Sequence, residues 1–372
     1  MEVRLSGGDD RNLMERLLEK QIPLSNSCNG KGTCGKCKVR VVSGTITDVT
    51  DTERRLLTEK EVAGHIRLAC MTKARGEVVI ETGEVEEDHV FTTGGVEGHF
   101  KRDADKHGYG LAVDIGTTTV VATLICLDDG TEKATYAQIN PQKTYGLDVL
   151  TRITYETEHK EAAISQLQKA IVQGLNEAAT AVCNEAGIEV TEITEIDVAA
   201  NCTMLHMLAG VDARPIGRAP YKPAFTDGRK LKARDLGLMG ATDATVYLLP
   251  SVSAYIGADI VAGVYVCDLR HASGKTLFID IGTNGELVLE AGGNMYSCSC
   301  AAGPALEGMN ITSGMRAAKG AVEDVHIGPD GIRLDVIGKG KPHGLCGSGI
   351  LAVVRELVRN GLVTRRGAFA KP

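Results

Sequence analysis

The sequence has no basic surplus. Its 41 lysines and arginines face 48 aspartates and glutamates, a formal net charge of −7 over 372 residues. A nucleic-acid binder needs a positive excess, or at least a basic stripe, for its phosphate contacts. A long apolar run is also missing: the best candidates are interrupted by Asp114 and Asp259, short of the roughly 18 uncharged residues of a spanning helix. The opening MEVRLSGGDDRN has neither the apolar centre of a signal peptide nor the arginine bias of a transit peptide. These absences set three expectations: no nucleic-acid partner, no membrane partner and a cytoplasmic location. Wholesale disorder is excluded too, because 43% hydrophobic and 24% charged residues are ordinary globular values. The length leaves room for two or three domains.

Without a secretory signal, and in a chain too long to need stapling, the 11 cysteines read as thiols rather than disulfides. Cys28, Cys34 and Cys37 lie in SNSCNGKGTCGKCKVRV, spaced C-x5-C-x2-C, and Cys70 follows in RLACMT. Three thiolates from one tight loop and a fourth from a distant segment form the layout of a [2Fe-2S] ferredoxin, in which each iron takes two sulfurs. Gly30, Gly32 and Gly35 belong to the same signal, since a loop around a cluster needs positive φ and bare N–H groups near sulfur. Zinc also uses four thiolates, but structural zinc usually takes two short Cys pairs, and only Cys34 and Cys37 make one. Gly30 to Lys36 matches the start of a P-loop, yet Cys37 stands where Ser or Thr would hold magnesium, and no apolar strand precedes it. The chain is therefore expected to move single electrons. The other seven cysteines, Cys126, Cys183, Cys202, Cys267, Cys298, Cys300 and Cys346, lie mostly in apolar runs and read as buried small hydrophobes.

Residues 1–83 form the first unit. Val3 to Leu5 starts a strand, Leu13 to Leu18 has helical spacing, and Val39, Val41 and Val42 make a strand behind the cysteine loop. Arg54 to Val62 suggests one short helix and Val78 to Ile80 a closing strand, so a β-grasp sheet with a helix across it is the natural fit. Residues 84–109 are charged and glycine-rich and read as a flexible linker spanning about 25–30 Å as a coil. From Gly110 apolar strands alternate with helices, the mark of an α/β domain. LAVDIG, TTTVVATLICL and TYAQIN give three strands in hairpin succession. A long helix is expected over 158–186, and EIDVAANCTMLHMLAG reads as a buried strand entering a helix.

An internal repeat carries the chemistry of this second part. LAVDIGTTTVVATL at 111–124 and LFIDIGTNGELVLE at 277–290 share the run apolar-apolar-Asp-Ile-Gly-Thr. Each strand delivers an Asp at its end, a Gly for the turn and a Thr beyond it. Two such hairpins facing each other can hold a nucleotide's phosphates, with Asp114 and Asp280 beside a hydrated Mg2+. One copy alone would be an ordinary hairpin turn, but two copies open consecutive α/β blocks.

The arrangement resembles the acetate kinase, sugar kinase, Hsp70 and actin superfamily, which binds ATP between two RNase H-like halves. Joined to a ferredoxin unit, the chain resembles the reductive activators of corrinoid enzymes, which use ATP to return cobalt(II) corrinoids to cobalt(I). NPQKTYGLDVLTRI at 140–153, NCTMLHMLAG at 201–210, AAGPALEGMNITSGMRAA at 301–318 and GLCGSGIL at 344–351 look like that family. The resemblance implies a first lobe at 110–268 and a second at 269–372. Residues 250–268 would be the connecting helix, with Gly257, Ala258, Ala262 and Gly263 permitting close helix packing. It also implies phosphate contacts from Gly116, Thr117, Thr118, Gly282, Thr283 and Asn284, magnesium at Asp114 and Asp280, and Glu286 orienting the attacking water, with a solvated strand-face residue as the other reading of Glu286. A corrinoid protein or corrinoid-dependent methyltransferase and a low-potential electron donor are the implied partners. Two departures stand out: the family's extra middle domain is expected to be missing, and the second lobe is expected to be incomplete. The chain stops at GAFAKP, short of the family's adenosine loop and final helix.

Several side chains have competing readings. His206 on an apolar helix is expected to be a packed, hydrogen-bonded core residue, and Cys298 and Cys300 an incidental C-x-C pair. Asn201 either reaches the cleft or caps the helix that follows. An ATP-driven electron donor of the dehydratase-activator type and a redox-sensing nucleotide-binding module are the rival functions.

Overall fold

The computed structural model describes all residues except 21, 23, 25–29, 31, 33, 34, 84–102, 104, 147, 283, 302–310, 312, 316, 371 and 372. Most of the expected linker, most of the 301–318 stretch, and Cys28, Cys34 and Thr283 thus lie outside the described residues.

In the first unit the elements run β1 (Glu2–Leu5), α1 (Leu13–Glu19), β2 (Lys38–Ile46), α2 (Asp51–Leu56), α3 (Glu59–Ala63), β3 (Ile66–Leu68) and β4 (Ala74–Thr82). The strands pair antiparallel in the order β1-β4-β2-β3, and α1 buries Leu13 and Leu17 in the same core as Leu5, Leu68 and Ile80. A small sheet with a helix across it is the arrangement expected of this unit. The single helix expected over Arg54 to Val62 is two helices, because Thr50 and Thr58 each close a capping box, with Glu53 and with Glu61. Two starts within eight positions force Leu57 between them into extended backbone.

Glu53 does more than cap. Its carboxylate has no solvent exposure and accepts from Arg67 Nε and Nη2, both at 2.9 Å, from Leu68 N at 3.0 Å and from the Thr72 hydroxyl at 3.2 Å. Burial opposes its charge, but the Arg67 guanidinium and the Thr50 and Leu68 amides outweigh that and bring the carboxyl down to about 2.

The next block contains β5 (Tyr109–Ile115), β6 (Thr119–Cys126), β7 (Glu132–Ile139), α4 (Val149–His159), α5 (Glu161–Ala186), β8 (Ile193–Ala200), α6 (Cys202–Ala209), β9 (Arg229–Lys232), α7 (Ala233–Leu236), β10 (Thr245–Leu248) and α8 (Ala258–Val266). Its sheet has the order β7-β6-β5-β8-β10-β9. β5, β6 and β7 form the expected hairpin succession, while β8 and β10 join parallel to β5. That is the RNase H-like arrangement with one added edge strand. α5 lays Leu167, Ile171, Leu175 and Val182 on the sheet, all buried, at the four-residue and seven-residue spacings of one helical face. The helix expected from 158 begins at Glu161, because Lys160 at φ 54° separates it from α4.

Last come β11 (Thr276–Ile281), β12 (Asn284–Ala291), β13 (Asn294–Ala301), β14 (Ala321–Gly328), β15 (Gly331–Val336), β16 (Gly344–Leu345) and α9 (Gly347–Arg359). They make two three-stranded sheets, β11-β12-β13 and β15-β14-β16. Phe278 of β11 meets α8 at Gly263, where an added Cβ would come within 2.7 Å of the ring. The close helix packing expected at Gly263 is thus packing of α8 on a strand. The opposite face of β11 exposes Leu277, Ile279 and Ile281. Among the described residues no helix is long and apolar enough to cross a membrane.

Removing one partner of the buried ion pair tests what holds the first unit. Arg67→Met leaves the Glu53 carboxylate buried without its counter-ion and should cost about 3–5 kcal/mol, read as a lower urea midpoint for unfolding of the first unit. An unchanged midpoint would show that the pair contributes nothing.

Candidate functional site

Strand pairing assembles the cysteine site. Cys37 precedes β2 and Cys70 follows β3, and because Lys38 pairs with Leu68 the two thiols meet at the end of one ladder. Ala69 N donates to Cys37 O at 2.8 Å, and the two Sγ atoms lie 3.3 Å apart, both side chains buried. Glu53 steadies the Cys70 turn from beneath through Leu68 N and Thr72 Oγ1. Gly30, Gly32 and Gly35 have φ of 77°, 68° and 66°, the positive values expected for a loop that turns its amides toward sulfur. A buried pair of thiols within reach of one tetrahedral iron, beside such a loop, suits an iron-sulfur cluster.

The second site is a cavity of about 770 Å3 between the two blocks, bordered by Thr117, Asn201, Asp259, Asn284 and Glu286. Asp114 at the end of β5 opens to the cleft solvent, with Asp259 of α8 and Asp280 of β11 close enough to act on its charge. Burial, then the Asp259 and Asp280 charges, push Asp114 up to about 6. Asp259 is raised by burial and by Asp280, and Asp280 by burial. Glu286 stands directly across the ladder from Asp280, and its Oε1 accepts from the Ser299 hydroxyl at 3.1 Å. Burial raises this carboxyl, the Ser299 hydrogen bond opposes that, and Asp259 and Asp280 push it further up. Carboxylates that repel one another through Asp259 and Asp280 across an open cavity offer hard oxygen donors of the kind a hydrated Mg2+ takes through its waters.

The first loop, Gly116-Thr117-Thr118, turns between β5 and β6. Gly116 is required there, since a Cβ would lie 2.7 Å from Thr119 O. Gly282 is less crowded, and its N–H closes the second turn on Asn284 O at 3.0 Å. The two repeats therefore share a pattern but not the same steric need.

Asn201 plays both roles offered for it: Oδ1 accepts from Met204 N and caps α6, while Nδ2 donates to Thr117 Oγ1 at 3.1 Å. His206 is a core residue, stacked on Phe225, with Nδ1 bonded to Cys202 O at 2.7 Å and Nε2 accepting from Ala224 N at 3.0 Å. The cysteines outside the cluster set divide. Cys183, Cys202 and Cys346 are buried as expected and Cys126 is half-buried, but Cys267, Cys298 and Cys300 are exposed. Cys298 and Cys300 sit on β13, which borders the cavity and is the edge strand of its sheet among the described residues.

Sequence reasoning missed Asp259, Asn140 and Arg152. Asp259 had a visible signal as the single charge in the helix ADIVAGVYV, where a carboxylate needs a reason to be.

Three family models match this chain: the 2Fe-2S iron-sulfur cluster binding domain over 2–75, the RACo middle region over 109–272, and the C-terminal domain of RACo, the ASKHA domain, over 274–372. The chain belongs to the RACo family. The middle-region match falls on the RNase H-like block itself, which opens with β5 at Tyr109. The corrinoid activation enzyme RamQ of Eubacterium limosum is 36% identical over 269 residues, 72% of this chain and 45% of that protein. The [Co(II) methylated amine-specific corrinoid protein] reductase of Methanosarcina barkeri is 27% identical, covering 58% of this chain and 40% of its own. The solved reductive activator for corrinoid, iron-sulfur protein superposes with a TM-score of 0.65 at 29% identity, over 98% of this chain and 72% of its own. The chain spans less than half the length of the two curated relatives.

The carboxylate cluster predicts a pH signature. A cation needs Asp114 ionised, so Mn2+ affinity should fall as pH drops through about 6, by up to ~tenfold per unit for each proton displaced. Asp259→Asn removes one repelling charge and should move the break to lower pH. Mn2+ titrations followed by electron paramagnetic resonance read this directly, and a flat affinity across that range would contradict the cluster.

Proposed function

We propose that this RACo-family chain is an ATP-dependent reductive activase, delivering one electron to the cobalt(II) corrinoid of a partner protein or methyltransferase and returning it to cobalt(I). The observation that carries the reading is the combination in one chain of a buried Cys37–Cys70 pair, 3.3 Å between sulfurs, and a four-carboxylate cleft. Cys28, Cys34, Cys37 and Cys70 hold the [2Fe-2S] cluster, which when bound supplies a one-electron carrier. Asp114 and Asp280, with Asp259 beside them, hold the waters of Mg2+. Gly116, Thr117, Thr118, Gly282, Thr283 and Asn284 receive the ATP phosphates, and Glu286 orients the attacking water. A low-potential donor outside this chain reduces the cluster, and the cytoplasm is the compartment that keeps such thiols reduced.

ATP enters the energetics because plant-type clusters lie near about −400 mV and the cobalt(II) corrinoid is harder to reduce. Nucleotide can shift that equilibrium only by binding two conformations with different affinity.

Two experiments test the proposal. The anaerobically purified chain should contain two irons and two sulfides in the ratio of a [2Fe-2S] centre and become paramagnetic on one-electron reduction. Cys70→Ser should lose most of that signal and Cys298→Ser should keep it; zinc without iron would overturn the cluster assignment. Mixed with reductant, Mg-ATP and a cobalt(II) corrinoid protein, the protein should produce the cobalt(I) spectrum, in lower yield without ATP. Equal yields with and without nucleotide would leave an electron carrier and remove the activase.

A further inference from the structure

The back of the first phosphate loop is tied down more thoroughly than a hairpin turn requires. Three successive carbonyls are held from behind: Gly116 O by Asn140 Nδ2 at 2.8 Å, Thr117 O by Arg152 Nη2 at 2.5 Å, and Thr118 O by Asn140 N at 2.9 Å. In a trans peptide the N–H points opposite to its carbonyl. Pulling back the carbonyls of Gly116 and Thr117 therefore turns the N–H groups of Thr117 and Thr118 away from Asn140 and Arg152, and Thr117 borders the cavity.

Arg152 is unusual in its own right. It sits on α4 with no solvent exposure, and its other donors go to Gly146 O at 2.9 Å, Gln142 Oε1 at 3.2 Å and Met204 Sδ at 3.0 Å. None of these partners is a carboxylate. Asp148, which borders the cavity, acts on the guanidinium from a distance while capping α4. Burial lowers the guanidinium to about 10, so it remains charged at neutral pH. A buried charge without an ion pair is costly, and one held directly behind an anion loop gains its counter-charge when phosphate arrives. In front of the same loop the repelling carboxylates Asp114, Asp259 and Asp280 call for a cation. A metal-bound polyphosphate answers both demands at once.

We propose that Arg152 is a positioning residue for the polyphosphate, fixing the first loop through the Thr117 carbonyl and supplying the buried positive charge that the phosphates neutralise. The inference rests on the nucleotide reading of the cleft but assigns a role that none of the phosphate-contacting or metal-binding residues fills. Gln142, itself buried, braces the guanidinium against α5 by donating to Leu167 O at 3.0 Å.

The test compares Mg-tripolyphosphate with Mn2+ alone on the full chain. Arg152→Gln should weaken tripolyphosphate at least about tenfold, the scale of a hydrogen bond to a charged group, while Mn2+ alone binds as in the parent protein. Arg152→Lys should lie between, since it keeps the charge and gives up the planar fork. Gln142→Glu places a carboxylate on the guanidinium, cancels its charge in place and should weaken tripolyphosphate although every Arg152 atom remains; it decides the question if Arg152→Gln does not fold. Backbone hydrogen exchange at 116–119 should slow on adding Mg-tripolyphosphate to the parent protein and not to these variants. Undiminished tripolyphosphate affinity in Arg152→Gln or Gln142→Glu would overturn the role of Arg152 and leave the nucleotide reading intact. A parallel loss of Mn2+ and tripolyphosphate would reduce Arg152 to a fold residue. If the parent protein binds Mn2+ but no tripolyphosphate, the nucleotide reading fails and takes this inference with it.

Discussion

Repulsion among Asp114, Asp259 and Asp280, with Glu286 at their edge, is the constraint on which the cleft depends. These carboxylates come from β5, α8, β11 and β12, so every element of the cleft wall must converge on charges that push apart. The convergence is held by contacts that leave no slack. Gly257 lets the start of α8 approach Asn201, where a Cβ would lie 2.5 Å from its Cα, and Gly263 accepts the Phe278 ring. Apolar packing of α8 against β11 and β12 thus opposes the electrostatic cost of bringing Asp259 and Asp280 together, and a bound cation removes that cost.

Buried charge is handled in opposite ways at the two sites. Beneath the cysteine loop Glu53 and Arg67 pair bidentately, with backbone and hydroxyl donors satisfying the remaining lone pairs, so the Cys70 turn rests on a neutralised network. Behind the loop at 116–118 Arg152 has carbonyl, amide and sulfur acceptors but no carboxylate. A completed pair makes a rigid support that is indifferent to ligand. An incomplete one leaves a positive charge that an anion can neutralise.

How much of this was legible depends on how local the signal is. The cysteine spacing, the positive-φ glycines and the twin Asp-Ile-Gly-Thr runs lie in continuous stretches, and α5 announces itself through Leu167, Ile171 and Leu175 at helical spacing. The break at Leu57 was missed because two capping boxes only eight residues apart look like one helix of ordinary amphipathic pattern. α4 was missed because its boundary is a left-handed lysine, a residue with no turn propensity to betray it. Cys298 and Cys300 were placed inside on composition, although register puts them on the sheet face that also exposes Ile279 and Ile281, and a face without cover exposes a thiol as readily as an isoleucine.

The sequence by itself determined the two kinds of chemistry, since ligand type and spacing are properties of short segments: four cysteines around a glycine loop, and an Asp, a Gly and a Thr at the end of each of two strands. Only the tertiary structure decided which charges face one another. Asp259 joins Asp114 and Asp280 because α8 packs between the blocks, and Arg152 reaches Thr117 because α4 folds back behind β5. Neither meeting leaves a trace in local pattern, because electrostatic and hydrogen-bond partners are chosen by distance in space, and residues far apart in the chain become neighbours only once the core has closed.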